Sequence, residues 1–189
     1  MVLDGRWLNE PPLVTRDGDT LALRTGRETD YWNNTFYGFV HANGHFLGTE
    51  AEGDRTLVLG FLAAYRDQYD QAGAMIRVDA RNWIKCGIEF TEGVMKVSAV
   101  VTRDDQSDWS VRPYRGDPAA PVMLRVTRHA GPLRVDIREE GEWHLVRLAF
   151  LPMPPAVTWG LMACSPTGEG LEVRFSNVRL GPAIEREMV

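Results

Sequence analysis

The chain is poor in the features that most often announce a function. It has 2 cysteines in 189 residues, too few for the disulfide framework of a small secreted scaffold. Cys86 occupies an apolar strand position and Cys164 lies near the end of another strand, so both read as buried thiols. Positive charge is not in excess: 21 Lys and Arg against 26 Asp and Glu leave a formal net charge of -5. With no basic run anywhere, this balance speaks against a nucleic-acid partner, whose phosphates demand a basic surface. No apolar run is long enough to span a bilayer, and the opening MVLDGRWLNEPP lacks the apolar stretch of a signal peptide. No membrane partner is expected, and the cytoplasm is the expected location. Nor does any stretch keep apolar spacing at three and four residues over a helical length, so helix should be scarce.

What the chain does have is a period of two. Strands are predicted at 20–25, 35–40, 56–64, 73–80, 83–91, 94–102, 121–128, 132–139, 143–150, 157–164 and 171–180, most of them short and rich in β-branched or aromatic residues. Asp17-Gly18, Asn43-Gly44 and Glu92-Gly93 are expected turns. The segment from Asp104 to Ala120 is the longest expected loop. Taken as a linker it would leave too few strands on each side to bury a good core. The reading is therefore all-β, an antiparallel β-sandwich forming one domain over residues 1–189, with a hydrophobic fraction of 44% to fill its core.

Register follows from parity. A two-residue turn at Glu92-Gly93 sets Phe90 against Met95, Ile88 against Val97, Cys86 against Ala99 and Ile84 against Val101. All four pairs are apolar, whereas a slip by one residue would oppose them to Lys96 and Ser98. A three-residue turn over Ala80, Arg81 and Asn82, with Asn82 left-handed, would then set Ile76 against Cys86 and Val78 against Ile84. On the opposite face the expected rows are Asp79–Trp83–Thr102, Arg77–Lys85–Val100 and Met75–Gly87–Ser98, with Glu89 across from Lys96. Arg77 beside Lys85 requires an anion nearby, because like charges across a ladder repel. Asp79 or Glu89 would supply it from within, a bound carboxylate or sugar acid from outside. Gly87 in mid-strand marks a bulge or the close approach of a ligand or another backbone.

These residues also carry a resemblance. The run YDQAGAMIRVDARNWIKCGIEFTEGVMKVSAVVTRDDQSDWS (69–110) resembles the core signature of the YesU and "regulation of enolase" family, and DYWNNTFYGFVHANGHF (30–46) resembles its aromatic segment with a GHF-like turn. That family consists of concanavalin A-like jelly rolls, largely of unknown function. The resemblance implies two stacked antiparallel sheets, one bent so that its outer face is concave. In related jelly rolls that face binds or cleaves carbohydrate. The Glu-x-Asp-x-x-Glu pattern usual in concanavalin A-like glucanases is absent, as are Gly-x-Ser-x-Gly, a reactive-cysteine signature and the zinc motif His-Glu-x-x-His.

The remaining candidates divide into bland and informative. Glu50 and Glu52, between Gly48 and Gly53, read as solvated acids at a loop or strand edge. Asp70 reads as a turn cap beside a backbone-bonding Gln71. His41 and His45 lack a helix to align them, and Asp104, Asp105 and Asp108 match no calcium spacing, so neither metal nor cofactor is expected. SDWS (107–110) is more suggestive, because Trp109 has a face to stack on a sugar ring and Asp108 a carboxylate to orient it. Trp32, Tyr37 and Tyr65 come from aromatic-rich stretches that could flank the same face. The expected function is binding of a small carbohydrate, sugar acid or sugar-derived metabolite through Trp83, Lys85, Glu89, Arg77, Trp109, Asp108, Trp32, Tyr37 and Tyr65. One alternative is a sugar-metabolism enzyme with Glu89 as acid or base and Lys85 as electrostatic stabiliser. Another is a regulatory protein-interaction module. Homodimerisation is left open.

Overall fold

The computed structural model describes residues 3–186, so the expected domain limits, 1 and 189, lie outside the described residues. Strands are numbered in chain order. The first sheet runs, in spatial order, β1 (Arg6–Leu8), β6 (His45–Glu52), β15 (Ala156–Cys164), β8 (Gln71–Arg77), β9 (Trp83–Thr91), β10 (Val94–Arg103) and β11 (Gln106–Pro113). The second runs β14 (Glu142–Ala149), β13 (Leu133–Glu139), β12 (Val122–Arg128), β7 (Arg55–Ala63), β16 (Glu172–Pro182), β3 (Thr20–Arg24) and β2 (Leu13–Asp17). A small hairpin, β4 (Tyr31–Asn33) and β5 (Val40–Ala42), stands apart from both. Among the described residues no helix is present, and hence none that is long and apolar enough to cross a membrane.

Alternation builds the core. From the first sheet Ile84, Cys86, Ile88, Val97, Ala99, Trp159 and Leu161 point inward; from the second, Leu57, Leu59, Phe61, Leu124, Val126 and Phe175 meet them. Each large apolar side chain buried this way contributes about 1.5–3 kcal/mol. Cys86 and Cys164 are free, buried thiols, and burial pushes the Cys86 thiol up to about 12, which leaves it unreactive.

The β9–β10 pairing matches the expected register residue for residue, from Ile84↔Val101 to Phe90↔Met95 and Glu89↔Lys96. Both turn residues are left-handed, Glu92 at φ 57° and Gly93 at φ 77°, as a tight hairpin with the native twist requires. The β8–β9 pairing differs by two residues. Ala74 meets Cys86, Ile76 meets Ile84, Arg77 meets Trp83 and Met75 meets Lys85. A slip of two keeps every side chain on its own face, so hydrophobic pattern cannot detect it and turn chemistry decides. The turn spans five residues, 78–82, and Asn82 is not left-handed. Its carbonyl accepts the N–H groups of Val78 (3.0 Å) and Asp79 (3.2 Å), while Asp79 accepts the N–H of Arg81 (2.7 Å).

Two further expectations fail. Of the expected strand 35–40 only Val40 is extended, as the first residue of β5: left-handed backbone at Asn34, Phe36 and Gly38 folds 34–39 into the turn of the small hairpin. The expected loop 104–120 contains β11, which follows a tight turn at Asp104 (φ 50°) and Asp105 (φ 64°) and pairs with β10. An edge strand with a wet face carries polar and charged residues, and its composition resembles a loop. The β6 strand, carrying Glu50 and Glu52 in exposed positions, is also absent from the expected strands, where these acids were read as a loop or strand edge.

Candidate functional site

Trp83, Lys85 and Glu89 point out of the first sheet, away from the main core, yet all three are buried, at 2%, 5% and 6% exposure. The chain from Gly26 to Ala42 covers them. It is pinned by the hydroxyl of Ser107, which accepts the Asn33 N–H (2.9 Å), and by the carbonyl of Asp105, which accepts the Asn34 side-chain amide (2.9 Å). The Tyr31 hydroxyl donates to the Gly44 carbonyl (2.6 Å), and its ring meets Trp83 edge-on at 6.0 Å. Beneath this strap a second small core forms from Tyr31, Trp32, Phe46, Met75, Trp83, Val100, Met162 and Cys164.

Beside that core lies a cavity of about 630 Å³. Trp32, Tyr37, Phe39, Tyr69 and Trp109 form aromatic walls, Asp30, Gln71, Lys85 and Glu89 bring polar groups, and Glu28, His41, Pro166 and Thr167 complete the lining with Val100. A few convergent polar groups among apolar walls is the usual composition of a small-ligand site. Tyr37 and Phe39 stack at 5.3 Å, and Phe36, 94% exposed, meets Tyr37 edge-on at the hairpin tip.

The polar groups form one network. Asp30 Oδ1 accepts from the Tyr31 N–H (2.8 Å), from Lys85 Nζ (3.1 Å) and from Gln71 Nε2 (3.2 Å). Glu89 Oε2 accepts from the Ser98 hydroxyl (2.7 Å) and the Trp109 indole (3.0 Å). Glu89 Oε1 has no protein partner and faces the cavity that Glu89 lines. Burial raises the Glu89 carboxyl above the ordinary carboxylate range, against the pull of Lys85 and of its two hydrogen bonds. Burial works against the Lys85 ammonium too, but the Asp30 carboxylate, with Glu89 further along the strand, outweighs it and holds the amine above its ordinary value.

Of the residues expected from sequence, Trp32, Tyr37, Lys85, Glu89 and Trp109 line this cavity, and four do not. Trp83 is the centre of the small core and has no face left to stack on a ligand. Arg77 lies across from Trp83 rather than Lys85, a consequence of the two-residue shift in pairing. Asp108 faces the other way along β11 and pairs with Arg147 (2.9 Å). Tyr65 packs against the main core, stacked on Phe90 at 6.4 Å. The anion paired with Lys85 is Asp30, which the sequence did not single out, with the expected Glu89 acting from further along the strand and Asp79 engaged in the 78–82 turn. Gly87 marks the approach of another backbone: a Cβ there would strike the Ala72 carbonyl oxygen of β8.

Sequence reasoning missed Asp30, Gln71, Tyr69 and Phe39 as lining residues. Asp30 stood at the head of the aromatic segment DYWNN, but no spacing rule places it over a strand 55 residues away. Asp70 serves as the expected turn cap, accepting the N–H groups of Arg66 (3.1 Å) and Asp67 (2.9 Å) and the hydroxyl of Ser165 (2.6 Å). His45 commits both ring nitrogens to backbone groups: Nε2 accepts the Gly26 N–H (2.8 Å), so Nδ1 donates to the Asn9 carbonyl (2.7 Å). The three aspartates at 104–108 separate, Asp105 toward Arg81 (2.6 Å) and Asp108 toward Arg147.

Two seven-stranded antiparallel sheets face to face, with a roofed cavity on the outside of one, make this a concanavalin A-like jelly roll. The chain belongs to the family described as "Protein of unknown function (DUF1349)", which matches residues 7–183. It is 42% identical over 173 residues to "Regulation of enolase protein 1" of Saccharomyces cerevisiae, covering 91% of this chain and 86% of the relative. A crystal structure of a functionally unknown protein from Saccharomyces cerevisiae superimposes with a TM-score of 0.91 at 40% identity, covering 96% and 97% of the two chains. The carbohydrate-binding module CBM66 of Bacillus subtilis superimposes with a TM-score of 0.60 at 12% identity over 93% and 94%. A xylan β-1,4-xylosidase of Bacillus halodurans does so at 0.65 and 15% over 86% of this chain and 32% of the enzyme. These last two likenesses concern the fold.

Proposed function

We propose that the chain binds a small carbohydrate or sugar-derived metabolite in the cavity under the 26–42 strap. The observation that carries this reading is the meeting of aromatic walls with an open carboxylate oxygen of Glu89 and the remaining N–H groups of Lys85 in one partly enclosed space. Sugar rings offer apolar C–H faces to aromatic side chains and hydroxyls that donate and accept. The fold shared with a carbohydrate-binding module supports the reading, and a ligand-sensing protein suits a relative named for regulation of enolase. Charge balance points away from the sugar acids: Lys85 is already matched by Asp30, and a further anion would sit beside Glu89. A glycan array followed by calorimetry tests the reading. Trp109→Ala and Gln71→Ala are each expected to weaken binding at least about tenfold, a loss of about 1.4 kcal/mol. Unchanged affinity in both variants would remove this site.

A second reading is favoured by one feature, the buried and raised Glu89 carboxyl with one oxygen open to the cavity. Such a group is suited to general acid–base work, with Lys85 steadying developing negative charge. NMR of sugars incubated with the protein would show turnover that Glu89→Gln abolishes; binding without conversion leaves the first reading alone.

A further inference from the structure

Glu89 is a buried acid whose counter-charge is incomplete. Of the groups that face it, Lys85 on its own strand is bonded to Asp30, and Lys96, directly across on β10, is bonded to Glu92. Gln71, across on β8, and Trp109, on β11, are neutral; Asp30 on the strap is a further anion, and the Glu28 carboxyl, the Tyr37 and Tyr69 hydroxyls and the His41 imidazole complete the titratable set lining the cavity. Within the buried network Lys85 contributes one positive charge, Asp30 and Glu89 one negative charge each. The balance is one unit negative when Glu89 is ionised. Oε1, the oxygen turned to the cavity, is where a compensating charge would sit. The surrounding walls are Trp109, Tyr37 and Phe39, whose ring faces attract a cation rather than an anion.

Resting on the sugar-binding reading above, we propose that the ligand is an amino sugar, a sugar carrying a protonated amine whose ammonium group pairs with Glu89 Oε1. A neutral sugar can donate a hydroxyl to the same oxygen, but it leaves the buried charge unbalanced. A sugar acid adds to it. An ammonium cancels it, makes a charge-assisted hydrogen bond and gains from the aromatic faces. The raised Glu89 carboxyl agrees with a site that waits for a cation. Binding an ammonium would favour the carboxylate and expel the proton from Glu89, so affinity would rise with pH through the titration of this group.

The test is a calorimetric panel of D-glucosamine, D-galactosamine and D-mannosamine, their N-acetyl derivatives and the parent neutral hexoses. It is run on the full chain between about pH 5 and 7, below the range where such amines lose their proton. At least one amino sugar is expected to bind about tenfold or more tightly than both its acetylated and its neutral counterpart, with affinity rising with pH and proton release on binding. In Glu89→Gln that ratio should fall to about one and the pH dependence should disappear. Equal binding of amino and neutral sugars, or a preference that survives in Glu89→Gln, overturns the amine assignment and leaves the sugar reading standing. If no sugar of the panel or of the glycan array binds, both fall together. The wild-type comparison decides the matter even if the variant fails to fold.

Discussion

Each sheet buries charged residues on its outward face, and the two clusters are built to different ends. On the second sheet Asp136, fully buried, accepts from Arg125 Nε at Oδ2 (3.1 Å) and from Arg134 Nε at Oδ1 (2.8 Å), and the Trp143 ring lies 4.7 Å from the Arg125 guanidinium. Both carboxylate oxygens are used. On the first sheet Lys85 and Asp30 are matched, but Glu89 keeps one oxygen turned to a cavity of about 630 Å³. A closed cluster does nothing further once formed. An open one costs stability and, on the proposed reading, keeps that oxygen for a ligand.

The comparison can be broken most forcefully at the closed cluster. Asp136→Ala would remove the fully buried carboxylate shared by Arg125 and Arg134 and is expected to destabilise the fold by about 3–5 kcal/mol in urea denaturation. A loss under about 1 kcal/mol would mean that the cluster is not the structural tie described. Lys85→Met comes next, at about 3 kcal/mol. It leaves Asp30 and Glu89 covered without a cation, and the Glu89 carboxyl, already raised by burial, loses the pull of Lys85, so the variant should be relatively better tolerated at lower pH. Urea curves at two pH values would show this.

Glu89→Gln should behave in the opposite manner. The Glu89 carboxyl is raised in the folded protein, so its contribution to stability is fully present below its unfolded-state value and is lost as pH rises through the raised one. Removing the ionisable group flattens that pH dependence. Above it the variant should match or exceed the wild type in stability. A clear loss of stability at high pH would show that Glu89 is a closed structural ion after all. The smallest effect is expected at the hairpin tip, where Phe36→Ala removes a ring that is 94% exposed and should change stability by less than about 0.5 kcal/mol.

The fold was legible where local rules act. The pattern Ile84, Cys86, Ile88, Phe90 named a core face, and Glu92-Gly93 set its register against β10, because a one-residue slip would have put polar side chains in the core. The turn at 78–82 was not legible, since Asn82 used its carbonyl and side chain rather than a left-handed backbone, and the resulting shift of two preserved every face. The site was half legible for a related reason. Lys85 and Glu89 were located by register and Trp109 by its SDWS stretch, read as a loop, whereas the assignment of Trp83 as a stacking wall failed because a segment far away in the chain covers it.

By itself, then, the sequence determined which side chains leave the core: alternation along a strand is a property of the backbone and needs no distant partner. Only the tertiary structure decided what those outward residues became. Residues 26–42 cross the first sheet, bury Trp83 and bring Asp30 to Lys85 across 55 positions of sequence. That contact depends on hydrogen bonds between the strap and the β10–β11 turn, whose members carry no shared local pattern. The outward face of NWIKCGIEF was written in the chain; its roof, and the opening left beside Glu89, exist only once the strap has been laid over it.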